Sequence, residues 1–130
     1  SLPDLLTYAP DRLADGSLPL SDVARYADIP AWMEARGVAI PAGPADPAFA
    51  AWEAELDNLA LPAVLATRGN DPIWETTYGF SLLDVHQVLA VGQAPDFVII
   101  LTGDFDPDAL RAAWVRSGYQ AVASGDMTLW

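Results

Sequence analysis

Five consecutive residues, Phe97-Val98-Ile99-Ile100-Leu101, carry no polar side chain. The run is too short for a helix and rich in β-branched residues, which predicts a central strand covered on both faces. Thr102-Gly103-Asp104-Phe105-Asp106-Pro107 then turns the chain into a helix. Asp106 takes the N-cap and Pro107 the first helical position, where a missing N–H costs nothing. Leu110, Ala113 and Trp114 follow at helical spacing, and Ser117-Gly118 supplies the stop. Tyr119 to Ala123 and Met127 to Trp130 read as two short strands around Ser124-Gly125-Asp126.

The rest of the chain must pack against this unit. Residues 1–20 hold Pro3, Pro10 and Pro19 among scattered leucines and predict an extended lead-in, with at most one helical turn across Leu5 to Tyr8. Residues 21–80 read as mostly helical. Val23 to Ala27 suits either a helix start capped by Ser21 or a short strand; Pro30 favours the strand. Asp28 then caps a helix from Pro30 to Arg36, stopped by Gly37. Asp46-Pro47 repeats the acid-then-proline start and leads into a stripe of Phe49, Trp52, Leu56, Leu59 and Ala60, with Pro62 ending or kinking the helix. About one further turn is expected over Ala63 to Thr67. Asp71-Pro72 opens a short helix through Ile73, Trp74 and Thr77 that breaks at Tyr78-Gly79-Phe80.

Residues 81–130 form the strand–strand–helix–hairpin unit. Ser81 with Asp84 resembles a capping box for a single turn. Val85 to Val91 admits a helix or a strand, and its β-branched residues favour the strand. Gly92-Gln93-Ala94-Pro95 would join it to Phe97–Leu101 as a hairpin. The order of elements is βαββαβ, so the expected class is α+β. It predicts a ferredoxin-like antiparallel sheet with helices on one face and a short additional C-terminal strand.

A chain of 130 residues supports one such domain and not two independent cores. No window approaches the length of an apolar membrane span. The formal charge is −12, and no lysine is present, the six cations all being arginines. A field of that sign repels phosphate backbones, so no nucleic-acid partner is expected. Missing lysine removes Schiff-base chemistry and the P-loop cation. Acidity otherwise keeps an apolar, alanine-rich chain in solution, with salt adaptation or cation binding as the alternative. With no cysteine in the chain, disulfides, zinc thiolates, iron–sulfur clusters and thiol catalysis are excluded, which suits an exported protein. No cofactor is implied. Ser1 in place of Met suits a processed or cut N-terminus, and the chain is expected to be part of a longer one.

Tyr78-Gly79-Phe80 with Asp84-Val85, then Leu101-Thr102-Gly103-Asp104-Phe105-Asp106, and finally Ser117-Gly118-Tyr119 together resemble a loosely defined group of uncharacterised bacterial exported proteins and lipoproteins. The likeness covers roughly the second half of the chain. It implies an extracytoplasmic location, exported or lipid-anchored through a removed N-terminal segment, and a ferredoxin-like unit. It implies no catalytic residues.

Five constellations carry candidate functions. Asp104, Asp106 and Asp108 alternate at a strand–helix junction, the way calcium loops begin, although the glycine and distant glutamate of an EF-hand are missing. Capping and dipole compensation explain the same three positions. His86, the sole histidine, shares a face with Asp84, Val88 and Ala90 in the strand reading, so Asp84 or Glu75 beside it would make a general base for a hydrolase. Asp57, Glu75 and Asp84 contain the carboxylate pairs a glycosidase would need. Among five tryptophans, Trp52 and Trp114 fall on apolar stripes and are expected in the core; Trp32, Trp74 and Trp130 are less constrained, with packing between elements the leading reading and a groove for a sugar, peptide or partner chain the alternative. Met127, Leu129 and Trp130 form an apolar terminal strand, a liability unless a second copy or another protein segment pairs there. The leading expectation is therefore a non-catalytic extracytoplasmic binding or assembly module. A calcium-binding module on Asp104, Asp106 and Asp108 comes second, and a hydrolase on His86 third.

Overall fold

The computed structural model describes residues 2–8, 24–68, 71–93, 96–125 and 127–130. The class is α+β. Strands β1 (Ala24–Asp28), β2 (Val85–Gln93) and β3 (Asp96–Gly103) form an antiparallel sheet in the order β1-β2-β3. The centre is β2, where Val85, Val88, Leu89, Ala90 and Val91 are all buried. The apolar run expected at the centre lies in β3 instead, an edge strand with Phe97 exposed and Val98 to Leu101 half-buried. Such a run records covered faces and says nothing about how many neighbours pair with its edges.

The faces of β2 are sorted by a bulge. Val85 pairs with Gly103 and Gln87 with Thr102, so His86 is the extra residue on its strand. Val85 and Val88 are three apart and would point to opposite faces of a regular strand. The bulge puts both into one core with Ala27, Ile29, Met33, Trp52, Leu56 and Leu65. Leu89 and Val91 face the other way and meet Leu5, with Leu2, Tyr26 and Ile100 packed around them. A Cβ on Gly103 would collide with the backbone carbonyl of Asp84 across the bulge, so this position has no room for any side chain.

That second cluster corrects two expectations. The lead-in forms a short helix, α1 (Leu2–Leu6), one turn earlier than the sequence suggested, with Leu5 buried. It also covers the face opposite the other helices, so they are not confined to one side. The expected extended path through residues 9–20, with Val23 and the turn residues Ala94 and Pro95, lies outside the described residues.

Acids cap three of the six α-helices among the described residues. Asp28 ends β1 and caps α2 (Ile29–Arg36), accepting from Ala31 N at 3.1 Å. It also accepts from Gln87 Nε2 at 2.8 Å and from the Tyr26 hydroxyl at 3.3 Å, tying the cap to the central strand. Burial works against the charge of Asp28, but these hydrogen bonds outweigh it and hold the carboxyl below its ordinary value. Asp71 caps α5 (Pro72–Tyr78) through Ile73 N at 2.8 Å, and Asp106 caps α6 (Pro107–Arg116) through Asp108 N at 2.9 Å. Ser81 and Asp84 form the capping box of one 3₁₀ turn, Leu82–Asp84. Asp46 departs from the pattern. It accepts from Ala42 N and Ala48 N, both at 2.9 Å, closing the preceding loop, and α3 (Phe49–Leu56) starts with no side-chain cap. That helix stops before Leu59 and Ala60; α4 (Ala63–Arg68) follows Pro62.

Strands β4 (Val122–Ser124) and β5 (Met127–Leu129) pair antiparallel with each other and form a separate ribbon. The four-stranded ferredoxin-like sheet is therefore not formed among the described residues, although the order of elements matches. All three residues of β4 are exposed, so no side chain of this strand joins the core.

Two substitutions separate backbone strain from packing. Gly37 and Gly79 are both left-handed, at φ 67 and 81°, but a Cβ on Gly37 meets nothing while one on Gly79 falls 2.6 Å from the Ala109 carbonyl oxygen. Gly37→Ala should lose about 1 kcal/mol, the conformational cost alone. Gly79→Ala should lose clearly more in urea unfolding, because α6 must move. For Asp28, a depressed native pKa gives stability that is complete above the ordinary 3.8 and is lost as pH falls through the native value. The melting-temperature advantage of the parent over Asp28→Asn should therefore shrink below pH 3.8; an advantage independent of pH would contradict this account.

Candidate functional site

The C-terminal ends of α5 and α6 are joined by hydrogen bonds to carbonyls that a helix end leaves open. Arg116 donates to Thr76 O at 3.2 Å and the Ser117 hydroxyl to Thr77 O at 3.5 Å. Gly118 then takes φ 86°, and Tyr119 N returns to Trp114 O at 3.0 Å. This closing turn sends the chain back over α6 into the ribbon. The ribbon lands where the Trp130 ring meets Trp114, with centroids 5.6 Å apart and planes at 61°.

The result is an open groove of about 340 Å³ lined by Tyr78, Trp114, Tyr119, Thr128, Leu129 and Trp130. A further hollow of about 480 Å³, reached past the same indole pair, adds Pro107, Leu110, Arg111 and Ala121. The floor is anchored inward by a chain of tilted and edge-to-face rings. Tyr78 lies 4.3 Å from Trp74, Trp74 lies 5.9 Å from Phe80, and Phe80 lies 5.3 Å from Phe105. Trp74, Phe80 and Phe105 pack against the main core, so the groove has one rigid wall and one wall made of ribbon.

The tryptophans divide differently from the expectation. Trp52 is core, 1% exposed. Trp114 is half-buried and lines the groove with Trp130. Trp32 packs on the main core and donates to Glu55 Oε2 at 3.3 Å. Glu55 also accepts from Arg36 and Asn58. The Arg36 hydrogen bond, followed by those of Trp32 and Asn58, holds this carboxyl below its usual range.

The candidate catalytic and metal residues do not assemble. Asp106 is spent on its cap, Asp108 pairs with Arg111 at 2.9 Å, and Asp104 faces His86 Nε2 at 3.4 Å. No group of three His, Asp or Glu among the described residues is placed to hold a metal ion. His86 bulges out of β2 and finds Asp104 as its partner, while the Asp84 carboxylate accepts from Ser81 N at 2.7 Å and from its hydroxyl at 3.0 Å. Asp84 is thus not the orienting acid of a His86 base. Asp57 borders an acidic hollow with Glu53 and Asp71. Of the apolar terminal strand, Leu129 and Trp130 line the groove, and Met127 pairs by its backbone with Ser124. Tyr78, Trp114 and Tyr119 were missed as site residues. Their signal was aromatic residues flanking the left-handed Gly79 and Gly118, which the sequence offers only as stop signals.

Fold and site together define an α+β protein with an aromatic groove beneath a terminal β-ribbon. No protein-family model, curated protein or solved structure matches the chain. With its acids already engaged, calcium at millimolar concentration should leave the melting temperature unchanged; a rise that is lost in Asp104→Asn would restore the aspartate run as a cation site.

Proposed function

We propose that this chain is a non-catalytic binding or assembly module whose partner docks on the C-terminal ribbon and its groove. One observation carries the reading: Tyr119, Val122 and Leu129 are 51%, 59% and 52% exposed around a groove that is itself aromatic. Scattered exposed apolar residues are ordinary, but a cluster around a concavity marks an interaction site. The ribbon supports the same reading, because it pairs with no other strand among the described residues. A partner strand added to either edge would gain backbone hydrogen bonds and place alternate side chains toward the groove. The partner is a second copy or a segment of another protein.

Against the hydrolase reading, Asp84 is held by Ser81 while His86 faces Asp104. No described helix is long and apolar enough to cross a membrane. An extracytoplasmic location belongs to the proposal, supported by the resemblance of the second half and by the missing cysteines.

Light scattering across a concentration series, with an apolar dye as probe of exposed surface, tests the reading. Dye binding or association that Leu129→Asp abolishes is expected. Leu129→Asp itself should change stability by no more than about 0.5 kcal/mol, as for other exposed positions. A strict monomer that binds neither dye nor partner would sink the module.

A further inference from the structure

We infer that the groove takes a cationic side chain, lysine or arginine, presented by an extended basic segment of a partner protein. The inference rests on the module reading above and assigns its partner a chemistry. Four of the six lining residues, Tyr78, Trp114, Tyr119 and Trp130, are aromatic, and none of the six is charged. The two indoles meet edge to face, with centroids 5.6 Å apart and planes at 61°, so they do not form one flat platform. Ring faces are the negative side of an aromatic quadrupole and attract cations, tryptophan most strongly.

The charge of the whole chain points the same way. At −12 with no lysine, it attracts a basic partner from a distance and opposes a second copy of itself, which carries the same charge. Of the chain's own nearby guanidiniums, Arg111 borders the adjoining hollow but pairs with Asp108 at 2.9 Å, and Arg116 donates to Thr76 O at 3.2 Å. Neither lines the groove itself, which is left to an external cation. Presentation on an extended segment follows from the geometry. Thr128 and Leu129 belong to β5 and line the groove, so a strand laid along this ribbon passes beside the indole pair.

The test is calorimetric titration of the full chain with three peptides of one length: alternating valine–lysine, the same peptide with acetylated lysines, and alternating valine–glutamate. Acetylation keeps the shape and removes the charge. The lysine peptide should bind, with affinity falling as salt rises. The acetylated peptide should bind at least about tenfold more weakly, and the glutamate peptide not measurably. Trp130→Phe, which keeps a ring against Trp114, should retain part of the affinity, and Trp130→Ala should lose it with the core melting transition preserved. If Trp130→Ala also loses that transition, Trp130→Phe with the acetylated peptide decides the case.

Equal binding of the acetylated and lysine peptides overturns the cationic assignment while leaving an apolar docking groove. Lysine-peptide binding indifferent to both Trp130 variants also overturns it, because the attraction is then the acidic surface alone. A doubling of mass abolished by Leu129→Asp replaces the basic partner with a second copy. No binding by any peptide, together with a strict monomer that takes up no dye, ends both the assignment and the module.

Discussion

The hydrogen-bonding and packing of one strand set the positions of nearly everything else. Val91, Leu89, Val88 and Val85 of β2 are each within 2% of complete burial, and they divide between two cores lying on opposite sides of the sheet. A strand covered on both faces tolerates no slip, because a shift of one residue would exchange its two sets of side chains. The extra residue at His86 belongs to that constraint. It lets Val85 join the core of Val88 and brings Gly103 so near the Asp84 carbonyl that only glycine fits. The 3₁₀ turn before β2 and the helix after β3 are placed by this junction, and with them the wall of the groove.

Carboxylates do structural work here that elsewhere is shared among hydroxyls and amides. Asp28, Asp71, Asp84 and Asp106 each satisfy backbone donors at the start of a helix or turn. Asp28 is the most connected, reaching the central strand through Gln87. An acidic composition is thus partly a capping vocabulary, which is why alternating aspartates at a strand–helix junction are poor evidence of metal binding. Asp106 is committed to its helix cap and Asp108 to Arg111, while Asp104 faces His86.

Local chemistry was the legible part. The Asp-Pro starts at residues 71 and 106, the box at Ser81 and Asp84, the β2 strand and its pairing with β3 all follow from rules that operate within a few residues. What escaped depends on neighbours distant in sequence. The run in β3 looked central because apolar side chains report covered faces, and its edge position rests on which strand pairs with which. Asp46 resembled the other caps, but its carboxylate was drawn back to Ala42 N, a loop contact no helix rule encodes. The groove was half visible: Leu129 and Trp130 stood out as a bare strand, while Tyr78 and Trp114 became partners only once α5 and α6 were joined at their ends.

The ribbon's attachment has a consequence for how the molecule opens. It shares no strand pairing with the main sheet, and its ring contact at Trp114 and Trp130 is made at its extreme end. Two short strands alone are barely stable in water. The amides of β4 and β5 therefore belong to a different cooperative unit from those of β2, one that can exchange with solvent while the core stays closed. A ligand seated in the groove would close that local equilibrium and leave global unfolding of the core nearly untouched. Occupancy would then be written in the exchange rates of a few C-terminal amides, well before it showed in a melting curve.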